Sequence, residues 1–400
     1  MLSRTFVLAL RYLRRLWVRV VAIALLSLVA VVTAPLIPTP IQWDRGTEAV
    51  LPVLSILASS MLAVTTFSLN VMVSAYRAAA DTATPRSYRL HLEDTVTQNV
   101  LATFTGAFIF ALTGIILFRS GIYGEDATLS IFAATALVVV LIVVAILRWI
   151  DHLSRLGSLD HTLELVTTRA AASLSAHLSQ PHLGGRPPAH RDGGQPVPAP
   201  RTGYLQLVDI AALQKKLEQM DATAHLALRP GGHVFKGDPL AWITGTAQTC
   251  EHLQSAFTLA DQRSHEQDSR YGFVVLSEIG ERALSPGVND PGTAIDVIAR
   301  VSRLLWDSDP APRPPRCDRI HVPDFDKGEL VDDGFAPIAR DGAGNIEVML
   351  HVVRSLKRLS DHPDPHMSSA ARRLLGHALD LGRDALPVAA DVQRLEQAAT

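Results

Sequence analysis

Four long apolar runs in the first 150 residues constrain the fold of this chain more than any other feature. They are Val20–Ile37, Val50–Ala75, Gln98–Phe118 and Ala127–Ile150. Each run supplies about 20 residues that hydrocarbon tolerates, and a helix of that length crosses an apolar core about 30 Å thick. The runs therefore predict an α-helical membrane domain with four transmembrane helices over residues 1–150.

Arginines flank these runs unevenly. Five precede the first run, and Arg77, Arg86 and Arg89 lie between the second and third runs, whereas each of the other two connections holds one arginine. By the positive-inside rule, the arginine-rich side faces the cytoplasm. We therefore expect a multi-pass protein of the bacterial cytoplasmic (inner) membrane with cytoplasmic N- and C-termini. The long basic flank without a clean cleavage site favours an uncleaved first anchor over a signal peptide.

The rest of the chain divides into four segments that together predict a cytoplasmic α+β domain. Residues 151–180 have apolar positions at three- and four-residue steps, which predicts a stalk helix. Residues 181–203 are dense in proline and glycine and predict a disordered or extended linker. Residues 204–250 predict a small β-rich subdomain, and residues 251–400 predict a mostly helical region that begins with a helix over 251–261.

Within the β-rich segment, "RPGGHVFKGDPLAWI" resembles a β-hairpin of the barrel-sandwich fold in lipoyl and biotinyl carrier domains. Gly231 and Gly232 mark one chain reversal, and Gly237 with Asp238 marks the next. The lysine motifs that carry a lipoyl or biotinyl group are absent from the sequence. We therefore expect a barrel-sandwich-like β element without a bound cofactor.

Charge and cysteine content narrow the function classes further. The formal net charge is -2, so no basic field points to nucleic acid as a partner. Cys250 and Cys317 are the two cysteines, and neither has histidine or cysteine at metal-ligand spacing. No acid, base and nucleophile lie together in the sequence, so we expect neither a metal site nor an enzyme active site.

A polar stripe follows the second apolar run. Ser59, Thr66, Asn70 and Ser74 recur at steps of seven and four residues, which places them on one helical face. Such a stripe either lines a water-filled path or packs small side chains against a neighbouring helix. No charged side chain lies at the centre of any run, whereas ion-coupled carriers place such residues there. This pattern favours a passive pore or a membrane anchor.

The segment "LSPGVNDPGTA", residues 284–294, joins two predicted helices. Asp290 fits a helix N-cap and Pro291 fits the first helical position. Thr293 falls at N3, where its backbone amide can donate to the cap. Capping explains Ser285, Asn289 and the two glycines less well, and free amides at a helix N-terminus can bind an anion. Two interpretations stay open, a structural hinge or a ligand and assembly site formed by Ser285, Asn289, Asp290 and Thr293.

Arg86 lies in "TPRSYRLHLED", the connection between the second and third runs. It is a candidate contact for anionic lipid head groups or for the stalk. The alternative is an ordinary cytoplasmic charge that follows the positive-inside rule.

Four motifs resemble those of a bacterial family of predicted membrane proteins, number 2254 in the domain-of-unknown-function series. Asp268 to Gly272 resembles an Asp-Pro-Arg-x-Gly element with Ser269 in place of proline. Residues 283–286 and 289–294 resemble Ala-Leu-Ser-Pro and Asn-Asp-Pro-x-Thr-Ala, and Thr84-Pro85-Arg86 resembles a Ser-Pro-Arg loop. The resemblance covers most of the chain and implies four spans with a cytoplasmic domain. It implies no activity and no catalytic residues.

These observations predict a homo-oligomeric inner-membrane protein that forms a passive channel for ions or small solutes. The second span would line the path, and the cytoplasmic domain would assemble the oligomer and bind a small-molecule or ion ligand. The alternative is a membrane-anchored scaffold or ligand sensor without transport activity.

Overall fold

The computed structural model of the chain describes residues 16–33, 46–82, 84–87, 94–121, 128–153, 155–245, 251–307 and 311–400. The chain divides into two compact units between Thr162 and Leu163. We call the described residues up to Thr162 the membrane unit and those from Leu163 onward the C-terminal unit.

The membrane unit consists of long apolar helices. In chain order they are α1 Leu16–Thr33, α2 Gly46–Thr82, α3 Thr95–Arg119 and α4 Thr128–Leu153. Among the described residues, three segments are long and apolar enough to cross a membrane: Val50–Ala78, Thr95–Arg119 and Leu129–Leu153. These segments coincide with the second, third and fourth predicted spans. α1 covers most of the first predicted span, and residues 34–37 of that span lie outside the described residues, so a total of four spans stays a prediction.

α3 is the most buried of the three membrane-length helices. Its inward positions include small residues, Gly106, Ala107, Ala111 and Gly114. Small side chains let neighbouring helices approach closely, which is how helices pack when lipid offers no hydrophobic driving force between them. Larger side chains fill the remaining space in this core, namely Leu54, Phe104, Phe110, Ile131 and Trp149.

The predicted stalk helix is interrupted after Leu153. α5 begins at Leu159 and continues to Ser179, and a turn occupies residues 155–158. Gly157 in this turn has a φ angle of 82°, which residues with a side chain rarely adopt. A Cβ atom at Gly157 would also lie 3.1 Å from the carbonyl oxygen of Ala75. Gly157 therefore separates two helices that the apolar spacing alone predicts as one.

Short strands in the described part of the C-terminal unit form two sheets. They are β1 Gln195–Pro198, β2 Gly203–Val208, β3 Ala222–Leu226, β4 His233–Val234, β5 Pro239–Gly245, β6 Phe257–Ala260 and β7 Ile320–His321. One sheet has the order β1-β5-β3-β7, with β3 and β7 parallel, and the other has the antiparallel order β4-β2-β6. α6, Ile210–Gln219, shares their apolar core through Ile210, Leu213 and Leu217.

The β region differs from its prediction in three places. Within the predicted linker, residues 195–198 form strand β1 at the edge of a sheet, where prolines are tolerated because an edge residue need not donate to a neighbour. The predicted hairpin is wrong, since β4 pairs with β2 whereas β5 pairs with β1 and β3. Instead of a helix over 251–261, the chain forms a 3₁₀ helix, Glu251–Ala256, followed by β6. The barrel-sandwich resemblance is therefore not confirmed.

The remaining chain is helical, as its periodicity predicts. The helices are α7 Tyr271–Leu284, α8 Pro291–Asp307, α9 Gly328–Asp341, α10 Ile346–Leu359, α11 Pro365–Ala385 and α12 Ala389–Ala399. α10 is the most amphipathic in sequence, and its buried face includes Val348, Val352, Val353 and Leu356. α7 approaches α5 so closely that a side chain at Gly272 would collide with Ala170.

Candidate functional site

The predicted pore-lining residues lie on an outward face of α2. Ser59, Thr66, Asn70 and Ser74 are all exposed on the membrane unit. The opposite face of α2 contributes buried apolar side chains such as Leu54 and Met61 to the core. The polar stripe therefore does not pack against the other described helices of its own chain.

The members of this stripe differ in how their polar atoms are satisfied. Ser59 Oγ donates to the carbonyl oxygen of Ser55 at 3.0 Å, and Thr66 Oγ1 donates to that of Leu62 at 3.0 Å. The Asn70 carboxamide forms no hydrogen bond with any residue that the structure describes. Because an unbonded amide costs roughly 2–7 kcal/mol in an apolar medium, this side chain needs water or another polar group beside it.

Capping explains the geometry of the turn between α7 and α8. The Asp290 carboxylate accepts hydrogen bonds from the Thr293 backbone amide at 3.1 Å and from the Thr293 hydroxyl at 2.6 Å. These bonds from Thr293 lower the pKa of Asp290. The Ser285 hydroxyl donates to the Arg282 carbonyl oxygen at 2.6 Å, and Asn289 adopts a positive φ of 50°. The structure thus brings the four candidate residues of this turn together.

The middle of the turn is nevertheless exposed. Residues 286–289 all face solvent, and the exposed fraction of Val288 is 49%. Two backbone hydrogen bonds fix the conformation of the turn. The Asn289 amide donates to the Ser285 carbonyl oxygen at 2.9 Å, and the Asp290 amide donates to the Ala283 carbonyl oxygen at 2.7 Å. An exposed, well-fixed turn can contact a partner, whereas the Asp290 carboxylate is already occupied as a cap.

Arg86 is exposed at the tip of a short turn in the membrane unit. Thr84 and Ser87 on either side are buried and hydrogen bond to each other, with the Thr84 amide 3.2 Å from Ser87 Oγ and the Ser87 amide 3.3 Å from Thr84 Oγ1. The pair fixes the backbone that presents Arg86 and Pro85. Arg86 belongs to the membrane unit, whereas the four residues of the α7–α8 turn belong to the C-terminal unit.

A buried polar junction at one end of α3 and α4 has no local sequence signal. His152 Nε2 lies 2.6 Å from Asp94 Oδ2 and 3.1 Å from the Thr97 hydroxyl. Asp94 also caps α3 by accepting from the Val96 amide at 3.0 Å. Burial alone would raise the pKa of Asp94, but hydrogen bonds from His152 and Thr97 lower it far below its ordinary value. Because 58 positions separate Asp94 from His152, only the fold brings them together.

Asp268, in the first family-like motif, is a buried anchor. Its side chain is 3% exposed and accepts two hydrogen bonds from Arg263, at 2.7 and 2.9 Å. It also accepts from the backbone amides of Arg270 and Tyr271, both at 3.2 Å. A Cβ atom at Gly231 would collide with this carboxylate. Asp268 thus connects the turn before β4 to the start of α7.

Arg270 in the same motif connects α7 to α9. Its guanidinium donates to both carboxylate oxygens of Asp333, at 2.7 and 3.0 Å, and also contacts Glu329. Hydrogen bonding to Asp333 raises the pKa of Arg270. Glu329 and Asp333 are four residues apart on α9, so they lie on one helical face. The sequence analysis did not identify this pair, because neither acidic residue indicates which distant cation it contacts.

Two buried histidines are held neutral in the C-terminal unit. Burial and the nearby Arg229 lower the pKa of His177 from 6.5 to about 3. The Arg229 guanidinium lies 3.0 Å from His177 Nδ1, and the His177 ring packs on Phe325 at 4.1 Å between centroids. Burial and the charge of Arg169 lower the pKa of His265 from 6.5 to about 4. Both rings pack against aromatic side chains, His177 against Phe325 and His265 against Tyr271.

A cavity of about 410 Å³ lies within the C-terminal unit. Leu178, Leu305 and Met367 are among its apolar walls, and its polar groups include Lys327 and Asp364, which form an ion pair at 2.7 Å. A volume of this size can hold a small molecule. Within the described ranges, no three histidine, cysteine, aspartate or glutamate side chains gather as metal ligands.

Comparison with known proteins identifies a family. The family model described as predicted membrane protein (DUF2254) matches residues 14–358 of the chain. The chain belongs to this family. The segments of the chain at 268–272, 283–286 and 289–294 all lie inside the matched range. Membership makes this a membrane-associated protein, and no solved structure matches the chain.

Curated relatives extend the comparison to mycobacteria. The uncharacterized protein Rv1290c of Mycobacterium tuberculosis is 27% identical over 272 residues, which cover 63% of this chain and 51% of the relative. The uncharacterized protein Mb1321c of Mycobacterium bovis shows the same identity and coverage. The chain therefore spans about half the length of the curated relatives it matches.

Proposed function

We propose that this DUF2254-family protein is a homo-oligomer whose copies meet through the outward polar face of α2, and that the assembled α2 helices line a passive path for ions or small solutes. The observation that carries the proposal is the exposed stripe of Ser59, Thr66, Asn70 and Ser74. A protomer alone would place this stripe against lipid.

The cost of exposing the stripe to lipid supports association. Hydroxyl groups that donate to their own helix are tolerated in hydrocarbon, but the Asn70 carboxamide has both donors and acceptors to satisfy. A second helix or a water-filled path would supply the missing partners, and polar residues in membrane helices typically face such places. In a homo-oligomer, further copies of the chain beside α2 would supply either one.

The composition of the spans supports passive conduction over coupled transport. Hydroxyl and carboxamide groups make up the stripe, and none of these groups gains or loses a proton at physiological pH. Ion-coupled carriers and pumps place ionisable groups along their path. A path lined by neutral polar groups would instead let small solutes pass down their gradient.

Flux across liposomes tests this proposal. Full-length protein reconstituted in liposomes should release small ions faster than empty vesicles, and Asn70→Leu should change that rate at least severalfold. Thr113→Leu on α3 is the matched control, because it makes a similar polar-to-apolar change outside the stripe. If neither wild-type protein nor any variant conducts above empty vesicles across a panel of ions and small solutes, the channel proposal fails.

A second candidate function is a membrane-anchored ligand sensor. The cavity of about 410 Å³ beside Lys327 and Asp364 favours it, together with the exposed turn at 286–289. Small anions or nucleotides should then raise the thermal midpoint of the full-length protein, and Lys327→Met should abolish the rise. A broad panel without any stabilising compound would remove the support for this function.

A further inference from the structure

A groove of about 520 Å³ lies between α3 and α4 in the membrane unit, and Ile23 of α1 also lines it. Along α3 its lining extends from Val96 to Ala107, which is about 16 Å of helix. That length is about half of a hydrocarbon core of about 30 Å, or one leaflet. Val100, Leu141 and Ile142 are among the aliphatic side chains on its walls. The groove therefore has the length and the chemistry of a site for one acyl chain.

Charged side chains gather at one end of the groove. Arg148, Asp151, His152 and Arg155 line this end. Arg155 forms an ion pair with Asp151, and His152 contacts Asp94 at 2.6 Å. Arg148 is exposed and forms no ion pair with any residue that the structure describes. At this end of the groove, the Arg148 guanidinium therefore has no ion-pair partner among the described residues.

The polar end is built by the protein itself. The contacts of His152 with Asp94 and Thr97 join the start of α3 to the end of α4. Since Asp94 also caps α3, these bonds fix the spacing of the two helices where the groove opens. The site is therefore preformed, and a ligand need not pay the entropy of assembling it.

We propose that this groove binds one anionic phospholipid, with an acyl chain along the aliphatic walls and the phosphate at Arg148. A zwitterionic lipid would fill the same walls but would bring its own positive charge close to Arg148. A negatively charged head group complements the unbalanced guanidinium, and arginine favours phosphate oxygens because it can donate two parallel hydrogen bonds.

Lipid-dependent stabilisation of the full-length protein tests the proposal. Thermal unfolding in a neutral detergent is followed while phosphatidylglycerol or phosphatidylcholine is added. Phosphatidylglycerol should stabilise the wild type at lower concentration than phosphatidylcholine. Arg148→Gln should raise the half-saturating concentration of phosphatidylglycerol about fivefold. This change corresponds to a loss of about 1 kcal/mol in binding free energy, as for one basic residue near anionic lipid. Arg148→Lys should retain most of the preference.

Arg77→Gln is the matched control, because Arg77 is exposed on α2 and does not line the groove. It should leave the half-saturating concentration unchanged, and both variants should unfold at the wild-type temperature without lipid. The proposed site would be contradicted if Arg148→Gln and Arg77→Gln weakened phosphatidylglycerol binding equally. Equal binding of the two lipids by the wild type would also contradict it. Stabilisation by inorganic phosphate alone, to the same extent as by phosphatidylglycerol, would overturn the lipid as its occupant.

Discussion

Arg270 donates hydrogen bonds of 2.7 and 3.0 Å to the two carboxylate oxygens of Asp333, and so joins the start of α7 to the middle of α9. The arginine belongs to the motif at 268–272, which lies inside the family match, and its role in the structure is to position helices. The neighbouring Asp268 has the same kind of role, since it holds Arg263 and two backbone amides. The motif at 268–272 is therefore a structural connection in the C-terminal unit.

Arg270→Lys tests the connection to Asp333. A lysine keeps the charge but cannot donate two parallel hydrogen bonds, so we expect a loss of about 1–2 kcal/mol, or roughly 3–6 °C in the thermal midpoint. The control is Arg373→Lys. Arg373 on α11 forms an exposed ion pair with Asp332, which precedes Asp333 on α9. Exposed pairs contribute about 0–1 kcal/mol, so the control should move the midpoint little. Equal shifts in the two variants would contradict a special role for Arg270.

Asp268→Asn should destabilise the C-terminal unit more strongly. It removes a buried charge and leaves the partly buried Arg263 without its counter-ion, a loss of about 3 kcal/mol in comparable cases. Asp261→Asn removes a carboxylate that is 88% exposed and paired with Arg201, so it serves as the control. Thermal unfolding of the full-length variants compares the two losses. A loss at Asp268 no larger than that at Asp261 would show that the buried pair is dispensable.

The buried histidines predict a fall in stability at acidic pH. The pKa of His177 is about 3 in the folded protein and 6.5 ordinarily, so between these values the unfolded chain binds a proton that the folded protein does not. The contribution of His177 is fully present above pH 6.5 and is lost as the pH falls toward 3. Each such proton changes the free energy of unfolding by about 1.4 kcal/mol per pH unit.

His177→Asn isolates this contribution, because the asparagine oxygen can accept the hydrogen bond of Arg229 but does not titrate. The thermal midpoint of the variant should fall less steeply between pH 6.5 and pH 4 than that of the wild type. His190→Asn, at a side chain that is 88% exposed, should leave the slope unchanged. A wild-type slope in His177→Asn would show that other groups cause the acid sensitivity.

Asp290→Ala measures how much the Asp290 N-cap of α8 contributes to the stability of the protein. Loss of an N-cap side chain costs about 1 kcal/mol, so we expect a modest drop in the thermal midpoint. Val288→Ala, in the exposed middle of the turn, should not change the midpoint of the isolated protein. An effect of Val288→Ala on oligomer formation, without an effect on the midpoint, would identify the turn as an assembly contact.

Local sequence patterns predicted the features that depend on neighbouring residues. The apolar runs predicted the segments of α2, α3 and α4, and the spacing around Asp290 predicted its N-cap. The periodicity of residues 251–400 predicted the mostly helical region that contains α7 to α12. In each case, one stretch of chain contains both the cause and the structure.

Features that depend on distant residues could not be predicted in this way. The prolines of residues 195–198 predicted a linker, because the neighbouring sequence does not indicate that this segment pairs with β5. The pairs of His152 with Asp94 and of Arg270 with Asp333 join residues 58 and 63 positions apart. The outward orientation of Asn70 likewise depends on which face of α2 the core takes up.

Cysteine cross-linking along α2 tests whether copies of the chain meet through the polar face of this helix. Ser59, Thr66, Asn70 and Ser74 are replaced by cysteine one at a time in a background carrying Cys250→Ser and Cys317→Ala, and membranes are oxidised. Leu137→Cys, on α4 and 60% exposed, is the control. Disulfide-linked dimers are expected for one or more stripe positions and none for Leu137. Cross-linking at no stripe position, or equally at Leu137, would contradict it.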